Sequence, residues 1–148
     1  MKVLVQRVSQ ASVTVGSELV GNIGRGLVAL VGVAIGDTEK DVQYLAEKTV
    51  NLRIFEDSEG KFNLSLLDVK GELLVVSQFT LLADARKGRR PSFTDAAPPV
   101  VAERLIDKFI EETRNCGIKV AAGRFQAHML VEIHNDGPVT IMLESRPK

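Results

Sequence analysis

The sequence predicts an α/β fold: a mostly antiparallel β-sheet curled into a barrel-like core, with two helices packed on it, in a single domain over residues 1–148. Three observations carry this expectation. Short β-branched stretches punctuated by glycine follow one another through the first third of the chain. Two later segments, opening near Asp37 and near Pro98, carry apolar residues at helical spacing. A length of 148 residues, with 45% hydrophobic and 26% charged side chains, suits one domain with a buried core.

Val3, Val5 and Val8, then Ala11, Val13 and Val15, give a mostly alternating strand. Gly16-Ser17-Glu18 supplies a turn, and residues 19–23 return from it. Gly24-Arg25-Gly26 turns again, before the apolar run 27–33, which reads as a buried strand. Asp37 or Thr38 can cap the first helix, and Val42, Leu45, Ala46 and Thr49 form its inward face. Leu52-Arg53-Ile54-Phe55 reads as a short strand and Asp57-Ser58-Glu59-Gly60 as its turn. Leu73-Leu74-Val75-Val76 is an apolar strand that delivers Ser77-Gln78-Phe79-Thr80 at its end. Pro98-Pro99 opens a second helix, whose apolar face is Ala102, Leu105, Ile106, Phe109 and Ile110 and whose end is marked by Gly117. Two strands, 120–133 and 139–145, are expected to flank a turn at His134-Asn135-Asp136-Gly137-Pro138.

Composition narrows the function classes. The one cysteine, Cys116, excludes a disulfide framework and a cysteine-based metal site, and a reducing, cytoplasmic setting is expected. The start Met1-Lys2-Val3-Leu4 lacks a signal-peptide pattern, and no apolar run is long enough to span a bilayer. Nineteen basic residues balance nineteen acidic ones, which argues against a protein that coats nucleic acid. Arg86-Lys87-Gly88-Arg89-Arg90 is nevertheless a local basic patch, able to hold a phosphate-rich end or simply to be a solvated loop.

Familiar catalytic arrangements are missing. Cys116 falls at a helix end, where the dipole opposes thiolate formation. His128 and His134 are expected on one face of a strand, too few for a metal site, so no metal and no cofactor is expected. Ser77-Gln78-Phe79-Thr80 is what remains. A strand ending in hydroxyls and an amide can aim backbone N–H groups at a developing oxyanion, or its hydroxyls can merely satisfy local backbone. Asn135-Asp136-Gly137-Pro138 is first of all turn chemistry. A cis Gly-Pro bond would let two carbonyls point the same way as acceptors for an ammonium group, but the isomer is open in the sequence.

Nearly the whole chain resembles the bacterial D-aminoacyl-tRNA deacylases. The resemblance runs through Gln6-Arg7-Val8, Leu52-Arg53-Ile54-Phe55, Ser77-Gln78-Phe79-Thr80-Leu81, Lys87-Gly88-Arg89-Arg90-Pro91-Ser92-Phe93 and Asn135-Asp136-Gly137-Pro138-Val139-Thr140. It implies a homodimer with active sites at the subunit interface, acting on the acceptor end of aminoacyl-tRNA, with neither membrane nor DNA as partner. It implies that Gly137 and Pro138, as a cis pair braced by Arg7, enter the partner's pocket, hold the substrate amino group and leave no room for an L side chain. Glycyl-tRNA would then also be accepted. Ser77, Gln78, Phe79 and Thr80 would form the opposing catalytic wall, and Phe125, Met129 and Ala102 would line an adenosine pocket. His128 is assigned no role. The reaction is expected to rely on water and the RNA 2′-hydroxyl, because a threonine nucleophile at Thr80 needs a base that the sequence does not offer. The competing readings are a non-catalytic RNA-binding module using residues 86–90, and a general esterase with Thr80 as nucleophile.

Overall fold

In the computed structural model, residues 1–146 are described. The β-branched N-terminal segment forms β1 (Lys2–Val15), around which the sheet is organised. Gly16, with φ 59°, turns the chain into β2 (Glu18–Ile23), and β3 (Gly26–Gly32) follows. Helix α1 (Glu39–Asn51) leads to β4 (Phe55–Glu56), β5 (Phe62–Leu64) and the one-turn helix α2 (Leu66–Val69). Strand β6 (Glu72–Ser77) ends in a 3-10 turn, Phe79–Leu82. Helix α3 (Pro99–Asn115), β7 (Lys119–Ala122) and β8 (Leu130–Glu144) complete the fold. Among the described residues no helix is long and apolar enough to cross a membrane.

The first half of β1 pairs antiparallel with β3 and its second half with β2, while β8 runs antiparallel along nearly all of it. The β3–β6 and β6–β7 pairings are parallel, with α1 and α3 in the connections that parallel neighbours require. Strands β2 and β7 approach so closely that a Cβ on Gly21 would lie 2.9 Å from the Ala122 carbonyl oxygen. The expected barrel-like curl is therefore present, and the sheet is nearly closed.

Strands β3 and β6 are apolar on both faces because each separates two cores. Leu27, Ala29 and Val31, with Leu73 and Val75, face the larger core under the helices. Val28, Leu74 and Val76 join Val8, Ala11, Val13 and Ile23 in the second. Strand β1 serves both layers by changing phase. Val3 and Val5 belong to the first core, but Val8, Ala11 and Val13 to the second. Opposite the single step Asn135 to His134 on β8, β1 advances two residues from Val8 to Gln10. Ser9 is thus the extra residue of a bulge, which flips the face presented by everything after it.

The helix ends follow their capping residues. Thr38, rather than Asp37, caps α1, in a reciprocal box with Asp41. The Asp37 carboxylate is buried instead and accepts from the Met1 amine at 2.9 Å, the Ala34 N–H at 2.6 Å and Arg146 Nη2 at 2.6 Å. Pro98 and Pro99 open α3, and Gly117, with φ 92°, ends it.

Four expectations need correction. A third helix, α2, joins the two expected ones. The strand expected over 52–55 is confined to Phe55–Glu56, since Leu52 is still the C-cap of α1. The strand expected over 120–133 is two strands. After β7 the last ladder bond runs from Gly123 N–H to the Val75 carbonyl at 3.0 Å, and a turn with Gln126 at φ 62° intervenes before β8. His128 accordingly lies in a loop and only His134 on a strand. Residues 135–138 do not reverse the chain, because β8 passes through them and both flanks pair with β1 in one direction.

Gly26 lies against β6, where a Cβ would sit 1.8 Å from the Glu72 carbonyl oxygen. Gly26→Ala is expected to cost about 3 kcal/mol or more by overpacking against backbone. Urea denaturation checks this, and a cost under about 1 kcal/mol would contradict the close approach.

Candidate active site

Beyond the β6 end of the sheet lies a cavity of about 810 Å³. Ser77, Gln78 and Phe79 line its strand-end side, and Ala102 on α3 and Phe125 and Met129 from the β7–β8 loop are among the residues that line the remainder. The structure thus brings six of the expected residues around one space. Phe93 joins them, packing edge-to-face on Phe79 with ring centroids 5.1 Å apart. Met129 is seated by its sulfur, which lies 3.4 Å from the Arg124 N–H and 2.7 Å from where a Cβ on Gly123 would stand. His128 also lines the cavity.

Local hydrogen bonding decides which groups at the strand end are free. The Gln78 N–H is spent on the Val31 carbonyl at 2.8 Å. Phe79 and Thr80 open the 3-10 turn, so their N–H groups have no acceptor within it. Thr80 is exposed and does not line the cavity; its hydroxyl accepts a hydrogen bond from the Gln78 side-chain amide. An amide donor does not remove a proton from a hydroxyl, and no carboxylate, imidazole or amine among the described residues hydrogen-bonds to the Thr80 hydroxyl.

Arg7, Gly137 and Pro138 stand apart from this cavity in the same chain. Gln6 pairs with Thr140 and Val8 with Asn135, so the four residues 136–139 bulge out of β8 opposite Arg7 alone. The Gly137-Pro138 peptide within the bulge is cis. Arg7 is 7% exposed, and its guanidinium is the underside of the bulge. Its Nε donates to the Asp136 carbonyl at 2.9 Å and its Nη1 to the Ile54 carbonyl at 2.9 Å. Nη2 lies 3.4 Å from the Glu56 carboxylate, and the group stacks 5.5 Å from the Phe62 ring centroid. Asn135 closes the neck, accepting from Val139 N–H at 2.8 Å and donating to Thr140 Oγ1 at 3.0 Å. Gln6 also donates to Thr140 Oγ1, at 3.1 Å. Gly137 has φ 138°, and a Cβ there would meet Val139 Cγ2 at 2.8 Å and Arg7 Nη2 at 3.1 Å. Gly137 and Pro138 themselves are exposed.

Sequence reasoning did not single out Gln6, Asn135, Thr140, Glu56 or Phe62 as site residues, nor Phe93. The first three stood within the motifs quoted, but their bracing depends on which strand lies opposite. Cys116 caps the end of α3, its thiol pushed up by burial and then by the Glu112 and Glu47 carboxylates. Among the described residues, no group of three or more His, Cys, Asp and Glu side chains is placed to hold a metal ion.

Comparison with known proteins defines the class. The D-aminoacyl-tRNA deacylase of Roseiflexus sp. (strain RS-1) is 63% identical over 145 residues, covering 98% of this chain and 94% of that one. The D-aminoacyl-tRNA deacylase of Dehalococcoides mccartyi (strain ATCC BAA-2266) is 62% identical, covering 100% and 97%. The chain is therefore a hydrolase, of the deacylase class. It belongs to the D-Tyr-tRNA(Tyr) deacylase family, which matches residues 4–144. A solved structure titled c-Myc DNA Unwinding Element Binding Protein superposes with a TM-score of 0.93 at 45% identity, covering 99% of this chain and 100% of that one. A probable eukaryotic D-amino acid tRNA deacylase, at 20% identity, shares the fold with a TM-score of 0.81 over 97% of this chain and 98% of its own.

Arg7→Met keeps the bulk but leaves the Asp136 and Ile54 carbonyls without their donors. It is expected to cost about 2–4 kcal/mol of unfolding free energy and to speed hydrogen exchange at Gly137 and Val139. Unchanged exchange at those amides would show that the bulge keeps its shape without Arg7.

Proposed function

We propose that the chain hydrolyses the ester of D-aminoacyl-tRNA to free amino acid and tRNA, and rejects L-aminoacyl-tRNA. Family membership over residues 4–144 carries this reading. The cavity receives the terminal adenosine among Phe125, Met129 and Ala102, with the ester carbonyl towards the free N–H groups of Phe79 and Thr80 at the strand end. Those N–H groups stabilise the oxyanion as it forms. Thr80 is not the nucleophile, since its hydroxyl has an amide beside it and no base. Water attacks with help from the RNA 2′-hydroxyl.

The Gly137 and Pro138 carbonyls hold the substrate ammonium from a second copy of the chain. In support, the bulge is braced from below and exposed above, yet it does not reach the cavity of its own subunit. A homodimer with its sites at the interface puts the two walls face to face. Main chain packed this way against the α-carbon excludes an L side chain. It cannot exclude a substrate without a side chain, so glycyl-tRNA is cleaved too. The cytoplasm, where aminoacyl-tRNA is used, is the working compartment.

A second reading follows from the neighbour whose title names a DNA element. Binding of DNA without release of amino acid would favour it. The balance of nineteen basic and nineteen acidic residues counts against it.

Incubation with D-Tyr-tRNA and L-Tyr-tRNA tests the main reading. At least a hundredfold preference for the D-ester is expected, about 2.7 kcal/mol of discrimination. Equal turnover of both, or of neither, would defeat it. Thr80→Ala is expected to retain activity within about tenfold, a cost under about 1.4 kcal/mol. Complete loss with tRNA binding intact would restore the threonine nucleophile.

A further inference from the structure

The most concentrated charge on the chain lies outside everything assigned so far. Residues 84–92 form a closed finger, fastened at its base by Asp84 N–H to the Ser92 carbonyl at 2.7 Å and Ser92 N–H to the Asp84 carbonyl at 2.8 Å. Within it the Asp84 carboxylate accepts from Arg86 three times, from the backbone N–H at 3.0 Å, Nε at 2.9 Å and Nη2 at 2.8 Å. These contacts hold the Asp84 carboxyl at about 2, well below its ordinary value. One cation of the patch is thus used to shape the finger. Lys87, Arg89 and Arg90 are exposed, and among the described residues none of them forms an ion pair with a carboxylate. Gly88, with φ 66° and open space around it, turns the tip.

Position separates this patch from an ordinary solvated loop. Phe93, the residue after the fastening Ser92, lines the cavity and packs on Phe79. The base of the finger therefore adjoins the cavity rim through Phe93, and the finger beyond it carries three unpaired cations on a chain of zero net charge. A nine-residue finger folded on itself reaches about 13 Å, several times the ~3.4 Å axial spacing of phosphates along one strand. Guanidinium forks match phosphate oxygens in pairs, and lysine adds a point charge.

We propose that Lys87, Arg89 and Arg90 form a phosphate-binding arm that holds the backbone of the RNA strand leading to the terminal adenosine. The assignment rests on the reading that the cavity takes that adenosine. The arm contributes to binding rather than chemistry, and it makes affinity salt-dependent through counterion release.

The test uses the triple variant K87Q/R89Q/R90Q, with Arg86 kept so that the finger stays fastened to Asp84. Binding of uncharged tRNA is measured against salt. The plot of log affinity on log salt is expected to be shallower than wild type by about 2, near the ~0.7 per charge found for single strands. In hydrolysis, kcat/KM on D-tyrosyl-tRNA is expected to fall at least tenfold relative to kcat/KM on D-tyrosyl-adenosine, which carries no phosphate. An unchanged salt slope, or equal losses on the two esters, would overturn the arm. Equal weakening on duplex DNA would overturn its assignment to the RNA end, marking a general nucleic-acid patch. Wild-type protein that cleaves neither ester would sink the deacylase reading alone, because the tRNA salt slope still decides the arm.

Discussion

Where β1 passes from one apolar layer to the other, its pairing with β8 lapses for four residues, and the guanidinium of Arg7 fills the gap. A charge this buried is tolerated only if its donors are met, since an unmatched ion costs several kcal/mol to remove from water. Arg7 meets the requirement with carbonyls from two separate segments, Asp136 in β8 and Ile54 ahead of β4, and with the face of Phe62 on β5. A single side chain thereby joins the N-terminal strand, the small β4–β5 ribbon and the bulge. The planar fork is what permits it, because a lysine ammonium could neither span the two carbonyls nor stack on the ring.

The same strand shows why the bulge takes this form. Alternation along β1 breaks between Val5, Val8 and Ala11, and Ser9 absorbs the phase change. Without that break, residues after Ser9 would present their polar face to the second core. On the β8 side the mismatch is larger, and Asn135 ties the two ends of the bulge together through Val139 and Thr140. Gly137 is then held at φ 138° against Arg7 Nη2, where any Cβ would collide. Sequence order, strand register and backbone conformation specify one another here.

Much of the fold was legible locally. The α1 box at Thr38, the Pro98-Pro99 opening of α3 and the two-faced apolar runs of β3 and β6 are short-range signals, and they mark true elements. Helix α2 was missed although Ser65 and Asp68 carry a capping box, because one turn offers no periodicity to read. Residues 135–138 misled for the opposite reason. Their turn chemistry is real, but whether it reverses the chain depends on the distant pairing of both flanks with β1. At the candidate site, the grouping of Ser77, Gln78 and Phe79 was legible from the strand that ends there, and they line one cavity. The bracing by Gln6, Glu56 and Phe62 was not, since contacts between residues about fifty or more positions apart leave no local pattern.

The separation of the two walls has a chemical logic on the proposed reading. A side-chain nucleophile would attack whichever ester entered, and chirality would then have to be imposed at binding by side chains that can move. Backbone carbonyls fixed by Arg7 and Asn135 have no rotamers to adjust, so their position relative to an α-carbon is set by the fold. Carrying them on one subunit and the strand end Ser77-Gln78-Phe79 on the other means that selector and oxyanion donors meet only in the assembled pair. A monomer would keep its adenosine cavity but have nothing to reject an L side chain. Because the partner's carbonyls also hold the substrate ammonium, an isolated chain would neither position the ester nor screen its α-carbon, so on this reading selective hydrolysis belongs to the assembled pair.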